Sequence, residues 1–232
     1  MIDIHDSDGK YKMSFMPTDQ DSNQPICVTD ICVSPQGDIL VVGYGCKFIH
    51  VFDKQGKYFH CFNTLAQGED ENTHVDLQCI AIDREGNVLV GDRARDIITI
   101  HTYPDGRVVK EIKCSIAIDR SMVVNNKNQI LTHSDTSGSV YSRVVAIDYS
   151  GNEVFSFTPK IDEDVTGRVV WSRGIECDDE DNIYVAMMVS NRNNTGHIHA
   201  YSPTGTFLQC IAKGLYYPWD LSMTPDGSLV LA

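Results

Sequence analysis

The strongest constraint on this chain is a hairpin that recurs along its 232 residues. Each copy has an apolar strand, a turn rich in Asp, Asn or Gly, and a second apolar strand. The first runs Ile31-Cys32-Val33, Ser34-Pro35-Gln36-Gly37-Asp38, Ile39-Leu40-Val41-Val42. Equivalent turn positions fall at 37, 86, 128, 181 and 227, at intervals of 49, 42, 53 and 46 residues. Between these copies lies a second piece, a strand leading to a turn that ends in Gly. Phe48-Ile49-His50-Val51-Phe52 before Gly56 and Ile198-His199-Ala200-Tyr201 before Gly205 are examples. A fourth strand can follow each, as in Tyr58-Phe59-His60-Cys61-Phe62.

Two hairpins make a sheet too small to bury its own faces, so such units must stack on one another around an axis. The expected fold is all-β: a β-propeller of four-stranded antiparallel blades, one domain over residues 1–232. The first two strands of a unit are nearly continuous apolar runs, as for strands covered on both faces. Later strands mix in His, Thr, Lys and Ser, which places them nearer the rim. The chain opens on a second piece (Ile2-Asp3-Ile4-His5 before Gly9) and ends on a first piece (Leu229-Val230-Leu231). The expectation is therefore five blades, six if sequence is missing, with N- and C-terminal strands pairing in one composite blade. That closure would remove the open edges that invite aggregation. A β-sandwich is the competing architecture, but it does not explain a paired-hairpin unit at these intervals.

The motifs resemble those of the NHL-repeat propellers, whose unit reads Gly-Ile-Ala-Val-Asp-x-x-Gly-Asn-Ile-Tyr-Val-Ala-Asp, then a strand and Phe-Asp-x-x-Gly. Ala81-Ile82-Asp83-Arg84-Glu85-Gly86-Asn87-Val88-Leu89-Val90 and Phe52-Asp53-Lys54-Gln55-Gly56 carry the likeness, which spans essentially the whole chain. The copy from Met122 to Thr132 is degenerate. Such modules in tripartite-motif (TRIM) proteins bind protein or RNA, while a RING domain elsewhere supplies ubiquitin ligase activity. The resemblance implies the substrate-recognition part of a TRIM-like ligase; there is no RING here, so any ligase activity would belong elsewhere.

With 19 Lys and Arg against 32 Asp and Glu, the formal net charge of -13 works against indiscriminate binding to RNA or anionic membrane. RNA is thus the less favoured partner and a protein the expected one. No apolar run is long enough to span a bilayer. Eight cysteines with no CxxC pair suit free thiols in the cytoplasm, with disulfides as the alternative.

An antiparallel blade puts its short 1–2 and 3–4 turns at one end and its longer 2–3 and 4–1 connections at the other, where specificity concentrates. The long-loop end carries Lys47, Arg93, Arg95, Arg143 and Arg192, with Trp171, Arg173, Lys213 and Trp219 from the 4–1 connections. Arg and Trp are common interface anchors, so these nine are the candidate binding residues of a noncatalytic module. The bland readings are that the tryptophans plug space between blades and that the cations are solvated. The same loops carry Glu69, Asp70, Glu71, Asp162, Glu163 and Asp164.

A metal-dependent hydrolase or lyase is the alternative, since related propellers converge acidic or His ligands on the axis. Asp30 and Asp220 each lie seven residues before their turn position, but Cys79, Ser121 and Gly174 occupy the equivalent places, and Asp76 is a looser candidate. His50, His101, His133, His197 and His199 form no HExxH or similar pattern. The expectation is no cofactor and no bound metal.

Overall fold

The computed structural model describes residues 1–20, 22–66, 68–134, 143–159, 170–189, 195–224 and 226–232. Among these there is no helix, and every sheet is antiparallel. The first blade comprises β3 (Val28–Val33), β4 (Ile39–Gly43), β5 (Phe48–Phe52) and β6 (Tyr58–Asn63). The second comprises β7 (Leu77–Ile82), β8 (Val88–Asp92), β9 (Ile97–His101) and β10 (Val108–Lys113). The third has β11 (Asp119–Val124), β12 (Ile130–Ser134), β13 (Arg143–Ile147) and β14 (Glu153–Phe157). The fourth has β15 (Val170–Cys177), β16 (Ile183–Val189), β17 (Thr195–Tyr201) and β18 (Phe207–Tyr216). First strands of successive blades lie side by side, β3 with β7, β7 with β11 and β11 with β15, which is the radial arrangement of a propeller.

The turns explain the repeat. Gly37, Gly86 and Gly227 take left-handed φ values of 88°, 82° and 80°, and Asn128 and Asp181 take 55° and 64° at the two equivalent places. Asn and Asp are the side chains that tolerate this region best after Gly. In the Asp-x-x-Gly turn at Asp53, the carboxylate accepts from Gln55 N and Lys57 N, both at 2.9 Å, which closes the hairpin locally.

Three expectations need correction. Among the described residues four complete blades are present, not five or six, and the N- and C-terminal strands do not pair with each other. β1 (Ile2–His5) pairs only with β2 (Tyr11–Phe15), and β19 (Leu221–Met223) only with β20 (Leu229–Leu231), as two separate two-stranded sheets. Each half-blade buries its apolar face on its sequence neighbour instead. Ile2 packs with Ile26, Ile39, Val41 and Phe52 beside the first blade, whereas Leu229 and Leu231 pack against Ala186 and Ile198 of the fourth. Face-to-face stacking buries those side chains without an edge-to-edge bond between the ends.

The third correction concerns depth. Third strands are not rim-like: every residue of β9 is buried, and β5 and β13 are buried beyond their first residue. They lie mid-blade, covered by neighbouring blades on both faces, so their polar side chains bond in the seams, as His101 Nε2 does with Thr99 Oγ1 at 2.9 Å. Exposure concentrates in the fourth strands, such as β10 and β18.

Candidate functional site

The first strands β3, β7, β11, β15 and β19, with Val230 of β20, line an axial cavity of 660 Å³. Much of its lining is aliphatic, including Ile31, Val33, Met122, Val124 and Val230. Its polar groups follow from the repeat. Asp30, seven residues before its turn, accepts from Ile80 N of the next blade at 2.8 Å; Ser121, at the same place two blades on, accepts from Ile175 N at 3.3 Å. Glu176 serves the last step, accepting from Met223 N at 3.2 Å. These side chains stitch β3 to β7, β11 to β15 and β15 to β19, which gives them a structural use before any chemistry is invoked. Gly174 takes this place in the fourth blade because the next strand is too near. A Cβ there would lie 2.6 Å from Leu221 N and 2.7 Å from Asp220 Oδ1.

Asp220 lies just ahead of β19, and its carboxylate bonds locally and to Ser121. Its Oδ1 accepts from Leu221 N at 2.9 Å. Asp30 faces the cavity, so it keeps some accessible surface while protein encloses its other sides. Burial pushes its carboxyl well above the usual range, and the charge of Asp220 pushes it further. Burial also raises Asp220 and Glu176. The two aspartates thus converge, although their spacing in the chain did not form a ring of carboxylates.

Above them a pocket of 240 Å³ opens, lined by Thr29, Asp30, Gln78, Arg120, Ser121, Arg173, Trp219 and Asp220. The Arg173 guanidinium stacks on the Trp219 ring, 4.2 Å from its centroid, and Trp219 remains 54% exposed. The Arg173 Nε is buried and has no hydrogen-bond acceptor among the described residues. Arg120 holds a left-handed φ of 69° inside a bulge of β11. Arg120, Gln78 and Thr29 were absent from the sequence-based set. Aligning the repeats on their turns could have found Arg120, which directly precedes Ser121 in the register of Asp30 and Asp220.

The other candidates do not gather at this mouth. Arg95 is 9% exposed and buried in an ion-pair network, its Nε 2.6 Å from Asp92 Oδ2 and its other nitrogens bonded to Glu69 and the Thr64 carbonyl. That latch ties the connection before the second blade to the β8–β9 loop. Arg93, 49% exposed, grips Asp76 Oδ2 with two nitrogens at 2.9 and 2.7 Å; with Lys47, which bonds the Glu71 carbonyl, it lines a separate 470 Å³ pocket. Asp76 is thereby engaged and does not face the axis. Arg143 pairs with Glu153 at 2.7 Å, toward the short-turn end. Trp171 and Arg173 lie inside β15, not in a connection, because the strand extends to the rim; Trp171 is half-buried opposite Met188. Lys213 is exposed on outermost β18, which likewise runs past the expected loop start. Arg192, Asp162, Glu163 and Asp164 lie outside the described residues.

No family model and no curated protein matches the chain. Solved structures do. Virginiamycin B lyase from Staphylococcus aureus aligns with 99% of this chain and 69% of its own, at 15% identity and a TM-score of 0.59. The Dos1 propeller aligns with 94% of this chain and 56% of its own, at 9% identity and 0.57. A protein of unknown function from Bacteroides caccae is covered over 64% of its length, at 15% identity and 0.51. Likeness at these identities defines the class: the chain is a β-propeller. The NHL resemblance rests on the repeat motifs, and no helix among the described residues is long and apolar enough to cross a membrane.

Proposed function

We propose that this propeller is a noncatalytic binding module that holds a protein partner at the mouth of its axial cavity. Arg173 and Trp219 act as anchors for an acidic side chain or a terminal carboxylate. The observation that carries this reading is the buried Arg173 Nε, a donor with no acceptor among the described residues, in a guanidinium stacked on a half-exposed indole. A guanidinium forms paired hydrogen bonds with a carboxylate, and an indole adds apolar area at low entropic cost. The NHL-like repeats agree with a recognition role within a TRIM-like ligase whose RING would lie on other sequence. Eight free cysteines suit a reducing compartment such as the cytoplasm.

The test uses a Trp171→Phe background, so that fluorescence reports Trp219 alone. Acidic, neutral and basic peptides are titrated in parallel. Acidic peptides are expected to shift the signal, and Arg173→Ala, or Trp219→Ala read by calorimetry, to weaken binding by about 2 kcal/mol or more. Lys54→Ala and Arg84→Ala, in turns at the opposite end, should leave affinity unchanged. A response to basic peptides only, or equal affinity in Arg173→Ala, would put the reading aside.

A second reading has one observation behind it. Asp30 and Asp220 lie together in a partly apolar cavity, where burial raises both carboxyls, an arrangement acid–base chemistry uses. Loss of a turnover in Asp220→Asn, with unchanged peptide binding, would favour a lyase or hydrolase.

A further inference from the structure

Away from the axis, strand pairing assembles ligand chemistry that no spacing motif announces. We propose that His197, His199 and Cys210 form a site for one zinc-class divalent transition-metal ion in the outer half of the fourth blade. His197 and His199 are two apart on β17, so the strand period places both on one face. The β17–β18 ladder sets Cys210 directly opposite His199, which carries the thiol to that same face. One ligand atom from each lies within 4.8 Å of the other two. Bonds of about 2.0–2.3 Å put tetrahedral zinc donors roughly 3.5 Å apart, so small side-chain rotations close the site. Imidazole and thiolate select zinc, cobalt or copper over magnesium or calcium.

The surroundings suit an ion. The Tyr201 hydroxyl lies 3.4 Å from His199 Nδ1, an outer contact that orients the ring and assigns Nε2 to the metal. Phe207 packs on His199 at 5.2 Å between centroids, and Phe157 of the third blade on Tyr201 at 4.6 Å, forming an apolar wall. His199 is buried while His197 and Cys210 are half-buried, which leaves a route in from solvent. Three protein ligands leave a fourth position for water or an exogenous group. On binding, the Cys210 thiol, which contacts the Ala212 carbonyl at 3.4 Å, releases its proton to solvent as the sulfur–metal bond forms. Both imidazoles bind neutral, so one proton is released per ion and no redox change occurs.

The site is separate from the axial mouth and does not rest on the binding proposal. Asp19, Cys46 and His50 form a second cluster in the first blade, where His50 holds the place of His199, each six residues before a turn Gly. The experiment therefore counts metal by difference. Chelator-stripped protein is loaded with Zn²⁺, desalted and quantified by mass spectrometry, and Co²⁺ loading is followed through its sulfur charge-transfer band. Cys210→Ser should hold one equivalent of zinc less than wild type and lose the matching share of the cobalt band. His197→Gln, at a partly exposed position, should reproduce the zinc loss even if the serine variant folds poorly, with circular dichroism checking the fold. Tyr201→Phe should bind zinc about tenfold more weakly at this site. Wild type holding no zinc, or folded Cys210→Ser and His197→Gln variants each holding as much as wild type, overturns the proposal.

Discussion

The second blade and the C-terminal half-blade start from the same hairpin and reach different states. In the second blade, every residue of β8 and β9 is buried, and Leu89 and Ile98 are sealed within a cluster spanning the second and third blades. In the half-blade, β19 and β20 have three residues each, Leu229 and Leu231 are half-buried and Val230 is 52% exposed. The contrast shows that the hairpin motif specifies a pleated pair, while burial comes from neighbours on both faces. It also places Asp220 and Trp219 on the less embedded element, in keeping with the tendency of binding regions to occupy the low-stability end of a fold.

The sharpest way to break this comparison is by truncating matched leucines. Leu89→Ala should cost about 3 kcal/mol by urea unfolding, because the cavity is closed in on all sides. Leu229→Ala should cost about 1 kcal/mol or less, since its site keeps solvent contact. Equal losses would mean that the half-blade is as embedded as the complete one. Two turn glycines extend the test. At Gly106, with φ of 68°, an added Cβ would sit 2.2 Å from Phe62 Cγ, so Gly106→Ala combines backbone strain with a clash and should cost about 2–3 kcal/mol. Gly37, with φ of 88°, has nothing within 4 Å of that position, so Gly37→Ala should cost only about 1 kcal/mol of strain.

Amide exchange measures the same difference without mutation. The amides of β8 and β9 should exchange last and those of β19 and β20 well before them, and similar protection in the two regions would contradict the picture.

The smallest expected effect is on pH dependence. Asp220 binds its proton more tightly folded than unfolded, because burial raises its pKa. The stability tied to that proton is fully present below the ordinary aspartate value of about 3.9 and is lost as pH rises through the raised folded value. Asp220→Asn removes this dependence, so its stability relative to wild type should improve across that window. Affinity for an acidic peptide should fall in wild type over the same range, as Asp30 and Asp220 gain charge beside Arg173. A gap between variant and wild type that stays constant with pH would count against both.

Much of the fold was legible from local signals. Gly37, Gly86 and Gly227, with Asn128 and Asp181 between them, mark turns that need a left-handed residue, and backbone sterics act within four residues. Nearly continuous apolar runs then define the strands around each turn. The resulting radial blades were readable because so small a sheet must stack. The depth of the third strands was not: Thr99 and His101 read as polar in sequence and bond each other within β9, and only the neighbouring blade, with Phe62 against His101, buries them. Nor was the fate of Arg95: its charge suggested a rim anchor, whereas Asp92 and Glu69, 26 residues apart from it in the latter case, enclose it in the fold. Arg173 and Trp219 were named as candidates 46 positions apart in the chain, and only stacking of the half-blade on β15 brings them to 4.2 Å. Separate half-blades, the converging Asp30 and Asp220 and the His197–His199–Cys210 face share one physical origin. Turns and strand periods act over a few bonds and are written in order along the chain, but ladder register and blade stacking join residues tens of positions apart, so proximity there exists only once the tertiary structure has formed.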